Sequence, residues 1–179
     1  MVDSLMTRLT FNPIGVVKVD IEDELVKDSF EGVEGRLEIF EEYMEGLEGI
    51  DGFTHLIVIA YLHKVTDEQR RVLKVKHKRL LRLGLDEKDL PEVGVFCTDS
   101  PHRPNPIALT IVEVVRREKN ILYVKKLDLF DGTPIIDIKP YTLDRAVVDL
   151  GLPEWYIQLR NKVEEKVGRK YQIHFSTMR

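Results

Sequence analysis

Apolar and β-branched residues fall in short runs separated by turn-forming residues, a pattern of strands rather than of long helices. Six runs predict strands: Phe11 to Val19, Gly35 to Glu42, Phe53 to Leu62, Val93 to Thr98, Ile107 to Arg116 and Ile121 to Leu127. The polar stretch Arg117 to Asn120 between the last two is short enough to predict a hairpin. Lys74, Lys76 and Lys78 alternate with Leu73, Val75 and His77, which predicts a strand with one cationic face. Thr66 to Gln69 has capping-box spacing, so a short helical turn should lead into that strand. One longer helix is predicted, Glu154 to Val167, with Pro153 at its start, apolar positions at Trp155, Ile157, Leu159, Val163 and Val167, and Gly168 at its end. Strands and helices do not alternate regularly. The expected fold is therefore mainly β with some α: a single β-barrel-like domain of mixed or antiparallel strands over residues 1–150, with a C-terminal helix and basic tail over residues 151–179 packed on it.

With 43% hydrophobic and 32% charged residues in 179, the chain can bury a real core, which excludes disorder along its whole length. The longest apolar stretch, Leu56 to Leu62, is far short of the roughly 20 residues of a membrane helix. Met1 to Thr10 has no signal-peptide pattern, and the single Cys97 cannot form an internal disulfide, so a reducing cytoplasm is expected.

The net charge of −4 conceals an asymmetry. Ile21 to Asp51 holds twelve acidic residues against Lys27 and Arg36, a face not expected to meet nucleic acid. Lys64 to Arg82 holds eight basic residues against Asp67 and Glu68, a patch suited to a polyanion or to plain solvation.

Gly46, Gly49 and Gly52 precede a strand rather than following one, so they do not form a nucleotide-binding fingerprint. His55, His63, His77, His102 and His174 are scattered without metal-ligand spacing, and no metal is expected. Cys97, in the apolar run Val95-Phe96-Cys97, reads as a buried, inert thiol.

Two segments are unusual. Thr98 to Ile107 carries Pro101, Pro104 and Pro106, which restrict Ser100, Arg103 and Asn105 to extended geometry and make a stiff polar loop that is cheap to order around a ligand. Leu127 to Pro134 contains the turn signal Asp131-Gly132, with Asp128 and Asp131 placed to accept hydrogen bonds.

These two segments resemble the TsaA-like (YaeB, TrmO) family: Gly94-Val95-Phe96 through Arg103-Pro104-Asn105-Pro106-Ile107, Leu127 through Pro134, and Asp137-Ile138-Lys139-Pro140-Tyr141. Phe11-Asn12-Pro13-Ile14-Gly15 and Gly52-Phe53-Thr54-His55-Leu56 add to the likeness, which covers residues 11 to about 145. The resemblance implies a β-barrel that binds S-adenosylmethionine and methylates the exocyclic nitrogen of threonylcarbamoyl-adenosine beside the tRNA anticodon, as a homodimer. It implies cofactor contacts at His63 and Lys64, at Leu109, and at Asp128, Leu129, Phe130 and Asp131. The family usually has Ala-Thr-Arg before the proline loop, with the Arg at the cofactor. Here Cys97-Thr98-Asp99 reverses that charge, so Asp99 is a further cofactor candidate. The family's usual Gly after Pro-Asn-Pro-Ile is Ala108, and the Pro-Arg-Gln of bacterial members has no match in Ile21 to Phe30.

Methyl transfer from a sulfonium requires positioning more than covalent chemistry. A base, among Asp99, Asp137, His63 and Tyr141, would remove the proton of an acylated amine. Lys74, Lys76, Lys78, Arg79 and Arg103 are the expected phosphate contacts on RNA. Two other readings use the same residues: a cofactor-binding regulatory module without transfer, and a cofactor-free RNA-binding barrel.

Overall fold

The computed structural model describes residues 9–168. The predicted basic tail falls, beyond Gly168, outside the described residues. Six strands close a barrel: β1 (Gly15–Lys18), β2 (Val33–Ile39), β3 (His55–Tyr61), β6 (Ile107–Glu118), β7 (Ile121–Leu127) and β8 (Pro134–Pro140), in the order β1-β2-β7-β6-β3-β8. Every neighbouring pair is antiparallel. β4 (Lys74–Val75) and β5 (Val93–Gly94) form a separate two-stranded sheet.

Alternation fills the barrel. Val17, Leu37, Ile39, Leu56, Val58, Ala60, Val112, Leu122, Val124, Leu127 and Ile135 point inward and form one apolar core. At about 1.5–3 kcal/mol for each large apolar side chain removed from water, this cluster is the main source of stability. Lys119 takes a left-handed conformation, φ 54°, in the β6–β7 hairpin that the polar tetrapeptide predicted.

At Gly32, φ is +76°, and a Cβ there would lie 2.5 Å from the carbonyl carbon of Lys126. This close approach accompanies a shift of register between Val33 and Gly35 and a left-handed Lys126, φ 61°. The resulting bend carries the chain after β7 over the barrel mouth.

Three local expectations give way. Val93 to Thr98 is not one strand: β5 has two residues, and a 3-10 turn, Val95–Cys97, follows it. That turn breaks the period of two, so Val95 is buried while Phe96 and Cys97 face solvent, and the thiol is exposed rather than buried. Lys74 to Lys78 is likewise not one strand. His77, φ −72° and ψ 60°, ends the extended run, and Lys78 opens a 3-10 turn (Lys78–Leu83), so the three lysines share no strand face.

β8, and a short helix α1 (Asp23–Asp28), are elements for which no strand or helix was predicted. The capping box is present: the Thr66 hydroxyl accepts from the Gln69 amide at 3.3 Å and opens helix α2 (Asp67–Arg70). The predicted C-terminal helix is α3 (Glu154–Val167). It buries Leu159 and Val163 against Leu85 and Leu90, with Leu80, Leu83, Trp155 and Val167 around them, forming a second core beside the barrel.

Candidate functional site

Antiparallel closure brings the ends of β1, β3 and β7 and the starts of β2, β6 and β8 to one mouth of the barrel. The register fixes this: Tyr61 pairs with Ile107, Val33 with Leu127 and Val16 with Pro134. Three long connections meet there: the segment holding α1, the chain from His63 to Pro106, and the loop Asp128–Thr133.

The last of these is tied down. The Val19 amide donates to Asp131 Oδ1 at 3.1 Å and the Gly132 amide donates to the Val17 carbonyl at 2.9 Å, with Gly132 at φ 75°. The predicted Asp-Gly turn therefore fixes Asp131 against the end of β1. Leu129 is buried in the core, so only its main chain borders the mouth. Phe130 lies beneath the Lys64 ammonium, 5.3 Å from the ring centre.

His63, Lys64 and Asp131 share one side. Burial and the Lys64 charge hold the His63 imidazole below its ordinary pKa, opposed by Asp23 and Asp131, so it is neutral at pH 7.

Asp128 holds the centre. Its side chain is exposed to solvent, yet the protein atoms around it still desolvate the carboxyl. That desolvation raises its pKa. The Thr110 hydroxyl and the Arg79 guanidinium oppose the shift, and the neighbouring Asp99 adds to it. Thr110 is one of two buried polar residues among the described residues.

Leu109, beside Thr110, projects from the outer wall and is 65% exposed. β6 meets β7 only from Glu113 onward, so over Ile107 to Val112 it pairs with β3 alone. One edge of that stretch turns main-chain donors and acceptors toward the neighbourhood of Asp128.

Asp99 completes the third side, its charge felt by Asp128, His77 and Tyr156. His77 is held below its ordinary pKa by burial; its Nε2 is buried without a hydrogen-bond partner and its ring lies 6.3 Å from Trp155.

The predicted groups thus divide. His63, Lys64, Asp99, Asp128, Phe130 and Asp131 come to one mouth. Tyr141 does not: its amide donates to the His55 carbonyl at the opposite end of β3. Asp137 lies within β8, where it pairs with Lys139 at 2.6 Å.

Among the predicted phosphate contacts, Lys74 and Lys78 are exposed and Lys76 is half-buried, with Lys78 3.7 Å from Glu87. Arg79 instead donates to the Ser29 carbonyl and lies over the Phe30 ring, 4.4 Å from its centre. Arg103 donates to the carbonyls of Val95, 2.7 Å, and Thr98, 2.6 Å, bracing its own loop.

The acidic segment is not remote from the basic one. Asp23 pairs with Lys64, and Glu24 and Asp28 pair with Arg82, so α1 lies on the cationic run like a strap. Asp23, Phe30, Thr110 and Tyr156 were missed because nothing local in the sequence marks them; chain closure alone brings them in. Among the described residues there is no cluster of three or more His, Cys, Asp or Glu side chains that could hold a metal ion, and no helix long and apolar enough to cross a membrane.

Comparison with known proteins gives a consistent picture. Residues 26–145 match the model of the tRNA-methyltransferase O N-terminal domain. A probable S-adenosyl-L-methionine-binding protein of Pyrococcus abyssi is 33% identical over 183 residues, covering 96% of this chain and 90% of that one. The tRNA (adenine(37)-N6)-methyltransferase of Escherichia coli is 32% identical over 146 residues, 76% of this chain but only 59% of the enzyme. A crystal structure of TrmO superposes with a TM-score of 0.60 at 27% identity, covering 81% of this chain and 63% of that chain.

Proposed function

This chain belongs to the tRNA-methyltransferase O family, and from that premise we propose that it transfers a methyl group from S-adenosylmethionine to the exocyclic nitrogen of an adenosine in tRNA. The observation that carries the reading is the meeting of His63, Lys64, Asp99, Asp128 and Asp131 with the open edge of β6 at one barrel mouth.

The residues present fit such a cofactor. Asp128 is a partly desolvated carboxylate with a like-charged neighbour, Asp99, a pairing that a cation between them would relieve. The free edge beside Leu109 offers main-chain groups to a nucleoside, and Asp131 is held rigidly for the same ligand. When bound, S-adenosylmethionine supplies an electrophilic methyl group on a positively charged sulfur.

The chain's own work is positional. Holding donor and acceptor at near-attack distance is worth up to about 7–11 kcal/mol in favourable systems. Asp99, Asp128 and neutral His63, three of the titratable groups at this mouth, are the reservoir for the acceptor's proton.

Lys74, Lys76 and Lys78 meet phosphates as separate charges, while Arg79 and Arg103 hold the elements around the mouth. The acceptor is threonylcarbamoyl-adenosine at position 37, a modified base displayed in the single-stranded anticodon loop. Ile107, Leu109 and Ile111, 41%, 65% and 40% exposed on the outer wall of β6, are the contact of a homodimer. A tRNA substrate places the protein in the cytoplasm.

The experiment pairs titration calorimetry of S-adenosylmethionine with transfer of labelled methyl to tRNA bearing the threonylcarbamoyl group. Binding with transfer supports the reading. Binding without transfer makes the chain a cofactor-responsive module, and tRNA binding with no cofactor heat leaves a plain RNA-binding barrel.

A further inference from the structure

Phe96 is 81% exposed, far from the ordinary state of a phenylalanine in a folded domain. Its exposure does not come from a loose segment. The Val95 carbonyl directly before it accepts from the Arg103 guanidinium at 2.7 Å, the Thr98 hydroxyl at 3.0 Å and the Thr98 amide at 3.2 Å. The Val95 side chain is 1% exposed, and its amide donates to the Leu73 carbonyl at 3.1 Å. The 3-10 turn is therefore fixed on both sides of Phe96, and the ring is presented on a rigid mount.

That mount is the small sheet that carries Lys74. Lys74 pairs with Gly94 across it, and exposed Leu73 and Arg71 precede Lys74 in the chain. On the other side, the turn runs through Thr98 into Asp99, whose charge reaches Asp128. The ring thus stands between a basic surface and the barrel mouth.

An exposed ring held beside the basic run Arg71 to Lys78 has the composition of a surface that binds single-stranded nucleic acid: charge holds the backbone while the ring stacks on an unpaired base. A ring already held in place gives up little entropy on stacking. We propose that Phe96 is a stacking platform for an unpaired base of the RNA loop, one that neighbours the acceptor and steadies it at the mouth. The proposal rests on the RNA-substrate part of the function above and names the residue that reads the loop's single-stranded character.

The test uses the full chain and an anticodon stem-loop with 2-aminopurine at each loop position in turn. Wild type should change the 2-aminopurine fluorescence at one position. Phe96→Ser should abolish that change and weaken stem-loop binding by roughly five- to a hundredfold, the usual range for losing one stacked base. Phe96→Trp should bind as wild type or more tightly. Because the ring has no charge, the dependence of binding on salt should keep its slope in Phe96→Ser, and S-adenosylmethionine affinity and Tm should hold.

Wild-type stem-loop affinity in Phe96→Ser overturns the proposal. So does loss of self-association by light scattering with RNA affinity retained, which assigns the ring to a second copy of the chain. If Phe96→Ser loses RNA binding while wild type neither binds cofactor nor transfers methyl, the platform stands and the transferase reading fails.

Discussion

The Lys64 ammonium lies 2.5 Å from the Asp23 carboxylate, joining the end of β3 to α1 across 41 residues of chain. This contact puts the acidic segment on the surface expected to receive RNA. Each of these ion pairs is solvent-exposed and worth about 0–1 kcal/mol, weak enough for a phosphate to displace.

The first prediction follows from that strap. Arg82 is paired with Glu24 at 3.9 Å and with Asp28. Neutralising both acids, Glu24→Gln with Asp28→Asn, should free Arg82 and tighten tRNA binding several-fold at low salt. The slope of log affinity on log salt should steepen by about 0.7, one added phosphate contact on a single strand. Filter binding at several salt concentrations measures it. Unchanged curves would mean that Arg82 faces away from the RNA.

Arg103 should behave as a brace rather than as a phosphate contact. Arg103→Ala removes two charge-assisted hydrogen bonds to the carbonyls of Val95 and Thr98, a loss of about 2–4 kcal/mol in a partly buried setting. Thermal unfolding should show a lower Tm and calorimetry a weaker cofactor affinity, while the salt slope of tRNA binding stays as in wild type. Both bonds leave one guanidinium nitrogen, Nη2, and an ammonium also carries several N–H donors, so Arg103→Lys should recover part of the loss. A flatter salt slope with an unaltered Tm would return Arg103 to the RNA surface.

The barrel was legible because its strands alternate against one core: the predicted ends of β3, β6 and β7 lie within about two residues of those observed. What escaped has local physical causes. α1 buries Val26 alone, so its six residues carry no helical stripe. β8 lies between Pro134 and Pro140 and mixes Asp137 and Lys139 with its isoleucines, which made it read as a ligand motif rather than a strand. The outward turn of Phe96 and Cys97 depends on a 3-10 turn that no periodicity announces. At the mouth, motif residues could be named in order along the chain, but their partners could not. Val19 and Asp131 are 112 residues apart, and only barrel closure makes them neighbours.

The lysine run yields a third prediction, changed by the observed backbone. Because Lys74 belongs to a strand, Lys76 follows it and Lys78 begins a 3-10 turn, the three side chains do not form one surface. Their Gln variants should therefore weaken tRNA binding independently, with free energies that add within about 0.5 kcal/mol. Lys78→Gln should weaken it least, since Glu87 lies 3.7 Å from its ammonium. Binding curves of the three single variants and the triple variant decide this. A triple loss far larger than the sum would restore the single cationic face.

Asp128 sets function against stability. Burial raises its pKa, with Asp99 adding to the shift and Thr110 and Arg79 opposing it. A carboxyl whose folded pKa is raised favours the fold while protonated, and that contribution is lost as pH rises through the folded value. Asp128→Asn can still accept a hydrogen bond from the Thr110 hydroxyl but never ionises. Below the ordinary carboxylate range the variant and wild type should melt together. Through the acid range wild type should fall behind, and by neutral pH the variant should hold a constant advantage in Tm. Its cofactor affinity should move the other way. Losing one carboxylate near a sulfonium in a partly solvated site costs about 1 kcal/mol, a roughly fivefold weakening, whereas the uncharged thioether product should bind nearly as it does to wild type. Calorimetry with both ligands and melting curves from pH 3 to 8, a span that brackets the carboxylate range of about 4, give the two readings. Equal Tm at every pH would show that Asp128 ionises freely, and equal weakening for both ligands would show that it holds the nucleoside rather than the charge on sulfur.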